Sequence, residues 1–267
     1  MSQLSNQAFV AVTEFFEKVS GIRLADNKRA LVEGRLQKLA QECGEDDINV
    51  FIQRVVRRDF DERVLVTVID RLTTNETYFF REPQHYEDLT RRMERMHPQQ
   101  DLQVWSAASS TGEEAYSVAM LMADRRPTSP WRIHGTDLST SVVRTAQHGM
   151  YPVDRGSRLP AGYLKRFCLR GEGPYEGQLL VKRELRQRVN FRAANLMRDL
   201  PSDLPQFDVI FLRNVLIYFD PPAKMDIVRR VLTKLKQDGV LYIGHAESLT
   251  SLNLPLKMVE NAVYQHA

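Results

Sequence analysis

Val104-Trp105-Ser106-Ala107-Ala108-Ser109-Ser110-Thr111-Gly112-Glu113-Glu114-Ala115-Tyr116 decides how this chain is read. An apolar run gives way to small residues, and a helical pattern follows. In a mostly parallel α/β sheet such a turn lies at the carboxyl end of a strand, where ligands bind. A turn made for a nucleotide diphosphate presents glycines, backbone N–H groups and often a lysine. Here the helix opens on two carboxylates, which repel a diphosphate and suit a ligand carrying positive charge. S-adenosylmethionine, with a sulfonium, an ammonium and no phosphate, fits. A plainer role is open to the same residues: Ser110 or Thr111 capping the helix while Glu113 and Glu114 complement its dipole.

Outward from this stretch the pattern repeats. Strand-like runs fall at 102–107, 131–136, 188–194, 207–213 and 239–244, with helical patterns at 113–124, 139–148 and 222–237 between them. Such alternation means βαβ units and a parallel sheet. Residues 257–265 are expected to add an antiparallel edge. Gly171 to Val181 reads as a turn feeding a hairpin, inserted as a separate lobe. Upstream, residues 1–72 read as four amphipathic helices. Phe9, Val12, Phe15, Phe16 and Val19 share a face that Gly21 ends, Asp26 is expected to cap the second helix, and Asp47 the third. Residues 73–82 lack helical or strand periodicity, and Pro83 opens a helix through about His97. The expected organisation is a helical domain over 1–75, then 76–100 as a linker segment and helix contributing to the cofactor site. An α/β domain follows over 101–267, with a small antiparallel β-subdomain inserted at about 152–188.

Composition sets bounds. The 267 residues are 43% hydrophobic and 27% charged, an ordinary globular balance. No apolar run approaches the roughly 20 residues that span a bilayer. Cys43 and Cys168 are isolated thiols without metal-ligand spacing, so neither a disulfide framework nor a metal is expected, and a reducing, cytoplasmic setting is. The net charge of +3 is unevenly spread: residues 151–192 hold ten Lys/Arg against four Asp/Glu. Such a stretch attracts an acidic surface or forms a solvated basic face.

Candidate ligand residues come from strand ends. Asp137 closes the second strand, where an acid accepts hydrogen bonds from a ribose diol or caps the next helix. Asn195 and Leu196 follow the third strand, one polar and one apolar contact suited to an adenine ring. After the fourth, Arg213 and Asn214 are wedged between apolar runs, which calls for a ligand or a structural hydrogen bond.

With these residues in view the chain resembles the chemotaxis-receptor glutamate O-methyltransferases, the CheR family. The likeness spans essentially its whole length. It is carried by Thr74-Asn75-Glu76-Thr77-Tyr78-Phe79-Phe80-Arg81-Glu82, Ser110-Thr111-Gly112-Glu113-Glu114, Gly135-Thr136-Asp137, Gly171-Glu172-Gly173-Pro174, Asn195-Leu196, Arg213-Asn214-Val215-Leu216-Ile217-Tyr218-Phe219-Asp220 and Gly244-His245-Ala246-Glu247-Ser248. The resemblance implies a helical domain, a Rossmann-like domain binding S-adenosylmethionine, and an inserted β-subdomain that docks on the receptor. It implies cofactor contacts from Asn75, Thr77, Arg81, Glu113 or Glu114, Asp137, Asn195, Leu196, Arg213 and Asn214. Arg81 and Tyr218 would sit beside the transferring methyl. Departures such as Ala108-Ser109 and Ala115 remove no ligand.

The implied product is a receptor glutamate methyl ester, with S-adenosylhomocysteine left behind. A glutamate, with a pKa near 4.3, is ionised at neutral pH and needs no general base. This agrees with the lack of a Ser-His-Asp or Cys-His pattern, and His245 is expected to be structural. Implied partners are the cytoplasmic domains of chemoreceptors, met by Arg29, Arg35 and Lys38 and by the basic lobe. A receptor C-terminal tether peptide would add a strand at the Gly171, Gly173 and Gly177 hairpin. A monomer is expected, without membrane insertion or nucleic acid. Two other readings stay open: a methyltransferase acting on RNA or a small molecule, and an S-adenosylmethionine-binding adaptor without turnover.

Overall fold

The computed structural model describes residues 3–267, which fall into two units: one of residues 3–74 with 218–224, the other of 75–217 with 225–267. In the first, α1 (Asn6–Ser20), α2 (Arg29–Glu42), α3 (Ile48–Arg57) and α4 (Glu62–Leu72) pack on Val12, Phe16, Val32, Leu36, Phe51 and Ile52, each fully buried. Gly21 ends α1 at φ 76, and the Asp47 carboxylate accepts the Asn49 N–H to cap α3. Asp26 differs from expectation. It starts a single 3-10 turn, Asp26–Lys28, and α2 begins at Arg29 with no side-chain cap.

In the second unit, α5 (Pro83–Glu94) precedes β1 (Leu102–Ser106), α6 (Glu113–Arg125), β2 (Trp131–Asp137) and α7 (Thr140–His148). After the inserted lobe come β6 (Val189–Ala193), β7 (Phe207–Leu212), α10 (Pro221–Leu232), β8 (Leu235–Ile243), β9 (Leu256–Glu260) and β10 (Val263–His266). The seven-stranded sheet runs β6-β2-β1-β7-β8-β10-β9. Strands β6 to β8 are parallel, β10 is antiparallel to β8, and β9 closes the edge antiparallel to β10. The tail therefore supplies a hairpin rather than one strand, and β8 starts at Leu235, inside the stretch expected to be helix. Strand β7 is buried along its whole length, the pattern of a parallel strand covered on both faces.

The order reverses at β1, flanked by β2 on one side and β7 on the other. Chains leaving neighbouring strands there part to opposite faces and open a crevice at the carboxyl ends. Gly135 in β2 has no room for a side chain, since a Cβ there would lie 2.3 Å from the Phe191 ring.

The lobe is a second, three-stranded antiparallel sheet of order β3-β5-β4, made of β3 (Met150–Pro152), β4 (Cys168–Arg170) and β5 (Gln178–Val181). The short helices α8 (Tyr163–Phe167) and α9 (Arg183–Arg186) flank it. The β4–β5 hairpin turns through Gly177 at φ 79, as the glycine spacing announces. Strand β3 carries no sequence signal of its own.

Candidate functional site

The loops after β1, β2, β6 and β7 converge on the crevice, and the buried polar residues of the unit concentrate there. The turn after β1 is held by backbone, not by the expected cap. Gly112 occupies the N-cap of α6 at φ 96, with no side-chain bond to the helix. A Cβ on Gly112 would meet Ala146 Cβ at 2.8 Å and the Tyr151 hydroxyl at 3.0 Å. Ser110 and Thr111 point elsewhere. The Ser110 hydroxyl donates to the Asn75 carbonyl at 3.0 Å, and the Thr111 hydroxyl donates to Glu113 at 2.6 Å.

The glutamates diverge. Glu113 is fully buried and also accepts from the Arg155 guanidinium at 3.0 Å. Glu114 accepts from Ser106 Oγ at 2.7 Å and from Arg213 at 3.0 Å. Burial pushes both carboxyls up, against the Thr111 bond and Arg155 for Glu113 and against Arg213 for Glu114.

Arg213 is the hub. Its side chain, 1% exposed, pairs with Glu114 and with Glu82, each at 3.0 Å, and also donates to the Arg81 carbonyl. Glu82 further accepts from Asn214 Nδ2 at 3.1 Å and the His245 N–H at 3.3 Å. Burial disfavours its charge, yet Arg213 and these hydrogen bonds outweigh it and hold the carboxyl below the usual range. Glu247 ties the β7 and β8 ends together, accepting from the N–H groups of Gly244 at 2.7 Å, Asn214 at 2.8 Å and Ile217 at 3.2 Å. The backbone is strained at the same place. Of six non-glycine residues with positive φ among the described residues, Phe80, Glu82, Ser110 and Asn214 belong to these loops. Such conformations persist only where surrounding contacts fix them, and they cluster at functional sites.

The remaining expected residues are placed as follows. Asp137 accepts the Ser110 N–H at 2.8 Å and the Ser139 N–H at 3.0 Å, so it braces the β1 turn as well as the start of α7. Asn195 Oδ1 accepts the Met197 N–H, and Leu196 is buried at 8% exposure. The Thr77 carbonyl accepts from Arg155, and the exposed Arg81 guanidinium lies over the Tyr78 ring and donates to the Glu76 carbonyl. Arg155, a lobe residue, thus joins Thr77 to Glu113. It carries no motif, which is why sequence reasoning passed over it. Tyr218 belongs to the first unit, where its carbonyl accepts from the Arg23 N–H.

The basic candidates are partly engaged inside the fold. Arg29 donates to the Leu4 carbonyl and Arg35 to the carbonyls of Leu72 and Thr73, which leaves Lys38 the exposed member of that trio. In the basic stretch 151–192, Arg166 pairs with Asp124, Arg192 with Asp203 and Arg158 covers the Tyr78 ring. Much of the local excess is therefore internal.

Comparison with known proteins agrees with this layout. Residues 7–73 match the family model described as CheR methyltransferase, all-alpha domain, and residues 75–265 the one described as CheR methyltransferase, SAM binding domain. A chemotaxis protein methyltransferase of Salmonella typhimurium is 36% identical over 263 residues, covering 98% of this chain and 90% of that protein. One from Escherichia coli is 36% identical over 263 residues, covering 98% and 91%. Chemotaxis protein methyltransferase 2 of Pseudomonas aeruginosa is 35% identical over 268 residues, covering 98% and 94%. A helical domain and an acid-lined, S-adenosylmethionine-binding α/β domain, matched in order over nearly the full length, place the chain in the CheR methyltransferase family.

Proposed function

We propose that this protein transfers a methyl group from S-adenosylmethionine to glutamate side chains of chemoreceptors. The observation that carries the reading is the pair of acids at the start of α6, Glu113 buried and Glu114 half-buried, beside a turn with no lysine. That donor set fits a cationic ligand and is hostile to a diphosphate. Asn75, Thr77, Arg81, one of the two glutamates, Asp137, Asn195, Leu196, Arg213 and Asn214 would hold it. Asp137, at the end of β2, is the acid that would meet a ribose diol. Leu196 offers the apolar surface for a base.

The bound cofactor supplies an electrophilic methyl on a sulfonium. The chain supplies position. A receptor carboxylate is already ionised, so no proton is moved and no base is required. Arg81, held by the Glu76 carbonyl and the Tyr78 ring, would swing onto the incoming carboxylate and align it. Alignment of this kind is worth several kcal/mol, up to about 7–11 in the best cases. Tyr218 is assigned a second contact to the same group by the resemblance.

The partner reading rests on charge and on an open sheet edge. Lys38 on α2 faces solvent, and Lys165, Arg170 and Arg183 of the lobe are exposed without an ion-pair partner among the described residues. Strand β4 is an edge, and a cavity of about 690 Å³ beside it is lined by Met150, Leu169, Arg170, Tyr175, Leu180 and Arg186. An acidic receptor tail adding a strand there would place alternate side chains in that cavity. RNA is disfavoured because, of the aromatics in 151–192, Tyr151, Phe167 and Phe191 are buried and Tyr163 half-buried, so Tyr175 alone faces solvent and one ring makes no stacking platform.

The test is transfer of labelled methyl from S-adenosylmethionine to receptor-containing membranes. Base-labile counts on receptor protein are expected, and Arg81→Ala should lower turnover more than cofactor affinity. Cofactor binding without counts on any receptor would leave the adaptor reading. Counts on RNA alone would replace the substrate.

A further inference from the structure

We propose that Glu82, His85 and His245 form a binding site for a divalent transition ion of the zinc class. Their donor atoms all lie within 4.8 Å of one another. His85 Nδ1 is 3.6 Å from Glu82 Oε2, and the two imidazole rings meet edge to face with centroids 4.6 Å apart. Zinc holds nitrogen and oxygen donors at about 2.0–2.2 Å in a tetrahedron, so neighbouring donors stand roughly 3.3–3.6 Å apart. The Glu82–His85 pair already has that spacing. It arises from the first turn of α5, where Glu82 is the N-cap and His85 stands three residues on, so both side chains face the same way. His245 closes the set from the loop after β8 and is exposed, which gives an ion a path from solvent.

Two independent features point to a cation. First, His85 is 1% exposed, and neither ring nitrogen has a hydrogen-bond partner. A buried polar group in that state costs about 1–3 kcal/mol, and a metal bond would use a lone pair that nothing in the protein uses. Second, the surrounding ring of charges is one-sided. Glu82 and Glu114 flank Arg213, and Asn214 links Glu82 to Glu247 through its side chain and its N–H. Two carboxylates thus share the one guanidinium, with the Glu247 carboxylate on backbone N–H groups beyond Asn214, and a cation offsets the surplus negative charge. Asp88, farther along α5, is already matched by Arg91 and Arg92. Two imidazoles and one carboxylate, with a fourth position open to water, are a donor set that zinc and its neighbours prefer over magnesium or calcium.

The experiment uses the full chain. Zn2+ affinity is measured by competition with a chromogenic chelator, and Co2+ serves as an optical probe. One Co2+ per chain is expected, with visible d–d bands and no thiolate-to-metal band, which sets the site apart from Cys43 and Cys168. His245→Ala changes only an exposed side chain and should weaken binding by at least about tenfold. His85→Gln, checked for native far-UV circular dichroism, should do the same. Absence of stoichiometric Zn2+ binding in the parent protein overturns the proposal. So does binding left unchanged by His245→Ala, which would put the ion on other donors. Neither readout involves methyl transfer, so the result is independent of the proposed activity.

Discussion

The strand-end loops and the three-stranded lobe handle polar residues in opposite ways. Around the crevice, Arg213, Glu82, Glu114, Asp137 and Glu247 each carry a bond that holds one loop to another. In the lobe, Leu169 and Tyr175 are 51% and 57% exposed, and Arg170 has no ion partner among the described residues. Under the proposed function, ligand chemistry and fold stability share the same side chains in the first region and are separable in the second. Substitutions test that contrast directly.

The largest effect is expected at Arg213. Removing it leaves Glu82 and Glu114, both half-buried, with only neutral hydrogen-bond donors and no opposing charge. Breaking a buried ion pair from one side costs about 3–5 kcal/mol. Arg213→Met should lower the denaturant midpoint accordingly and abolish S-adenosylmethionine binding in calorimetry. The triple change with Glu82→Gln and Glu114→Gln should recover most of the stability but none of the binding. Recovery of both would show that the network serves folding alone.

Next is Gly112→Ala. The position combines φ 96 with a 2.8 Å approach to Ala146, so the change strains the backbone and presses α6 off α7. Conformations of this kind cost about 1–3 kcal/mol when a side chain is imposed. Cofactor affinity should fall with stability, because Glu113 and Glu114 follow directly. A variant as stable as the parent would mean that the turn relaxes, and that its shape is not what places the acids.

How far the sequence anticipated this contrast depends on the range of the signal. The alternation of strands and helices, the break at Gly21 and the cap at Asp47 are local, and each is legible within a few residues. Ser110 and Thr111 misled because their hydroxyls suit a cap, whereas the tertiary partners Asn75 and Glu113 claim them. Asp137, Arg213 and Asn214 stand out as polar residues at apolar strand ends. What they bond to does not, since Arg213 meets Glu82 across 131 positions of chain. The same distance hides the approach of His245 to His85 and the reach of Arg155 to Thr77. Strand β3, three residues long, is too short to carry a period.

A smaller effect, visible through pH, is expected on α5. Asp88 is buried, which opposes ionisation, yet hydrogen bonds from Arg92 and Tyr242 and the charges of Arg92 and Arg91 hold its carboxyl below the usual carboxylate range. A group with a depressed folded pKa contributes stability above its unfolded pKa and loses it as pH falls through the folded one. Asp88 should therefore support the fold at neutral pH and cease to do so in acid below about pH 4. Asp88→Asn should destabilise at pH 7 and flatten the fall in stability across that acid range. An acid limb unchanged in slope would assign it to other carboxylates.

The smallest effect on the fold is expected in the lobe, where it sharpens the contrast most. Leu169 stands in edge strand β4 with its side chain largely in solvent, and Arg170 beside it is exposed. Neither anchors another loop, so Leu169→Ser and Arg170→Glu should each shift stability by no more than about 0.5 kcal/mol. Affinity for S-adenosylmethionine should not change. Binding of an acidic receptor-tail peptide should weaken in both variants, with a salt-sensitive loss in one and a salt-independent loss in the other. For Arg170→Glu the lost attraction shrinks as salt rises, because screening already removes it in the parent, while for Leu169→Ser the loss persists at high salt because apolar burial is not screened. Equal stability with undiminished peptide binding would mean that β4 is not the docking edge, and the opposite edge, β3, would then be the strand to alter.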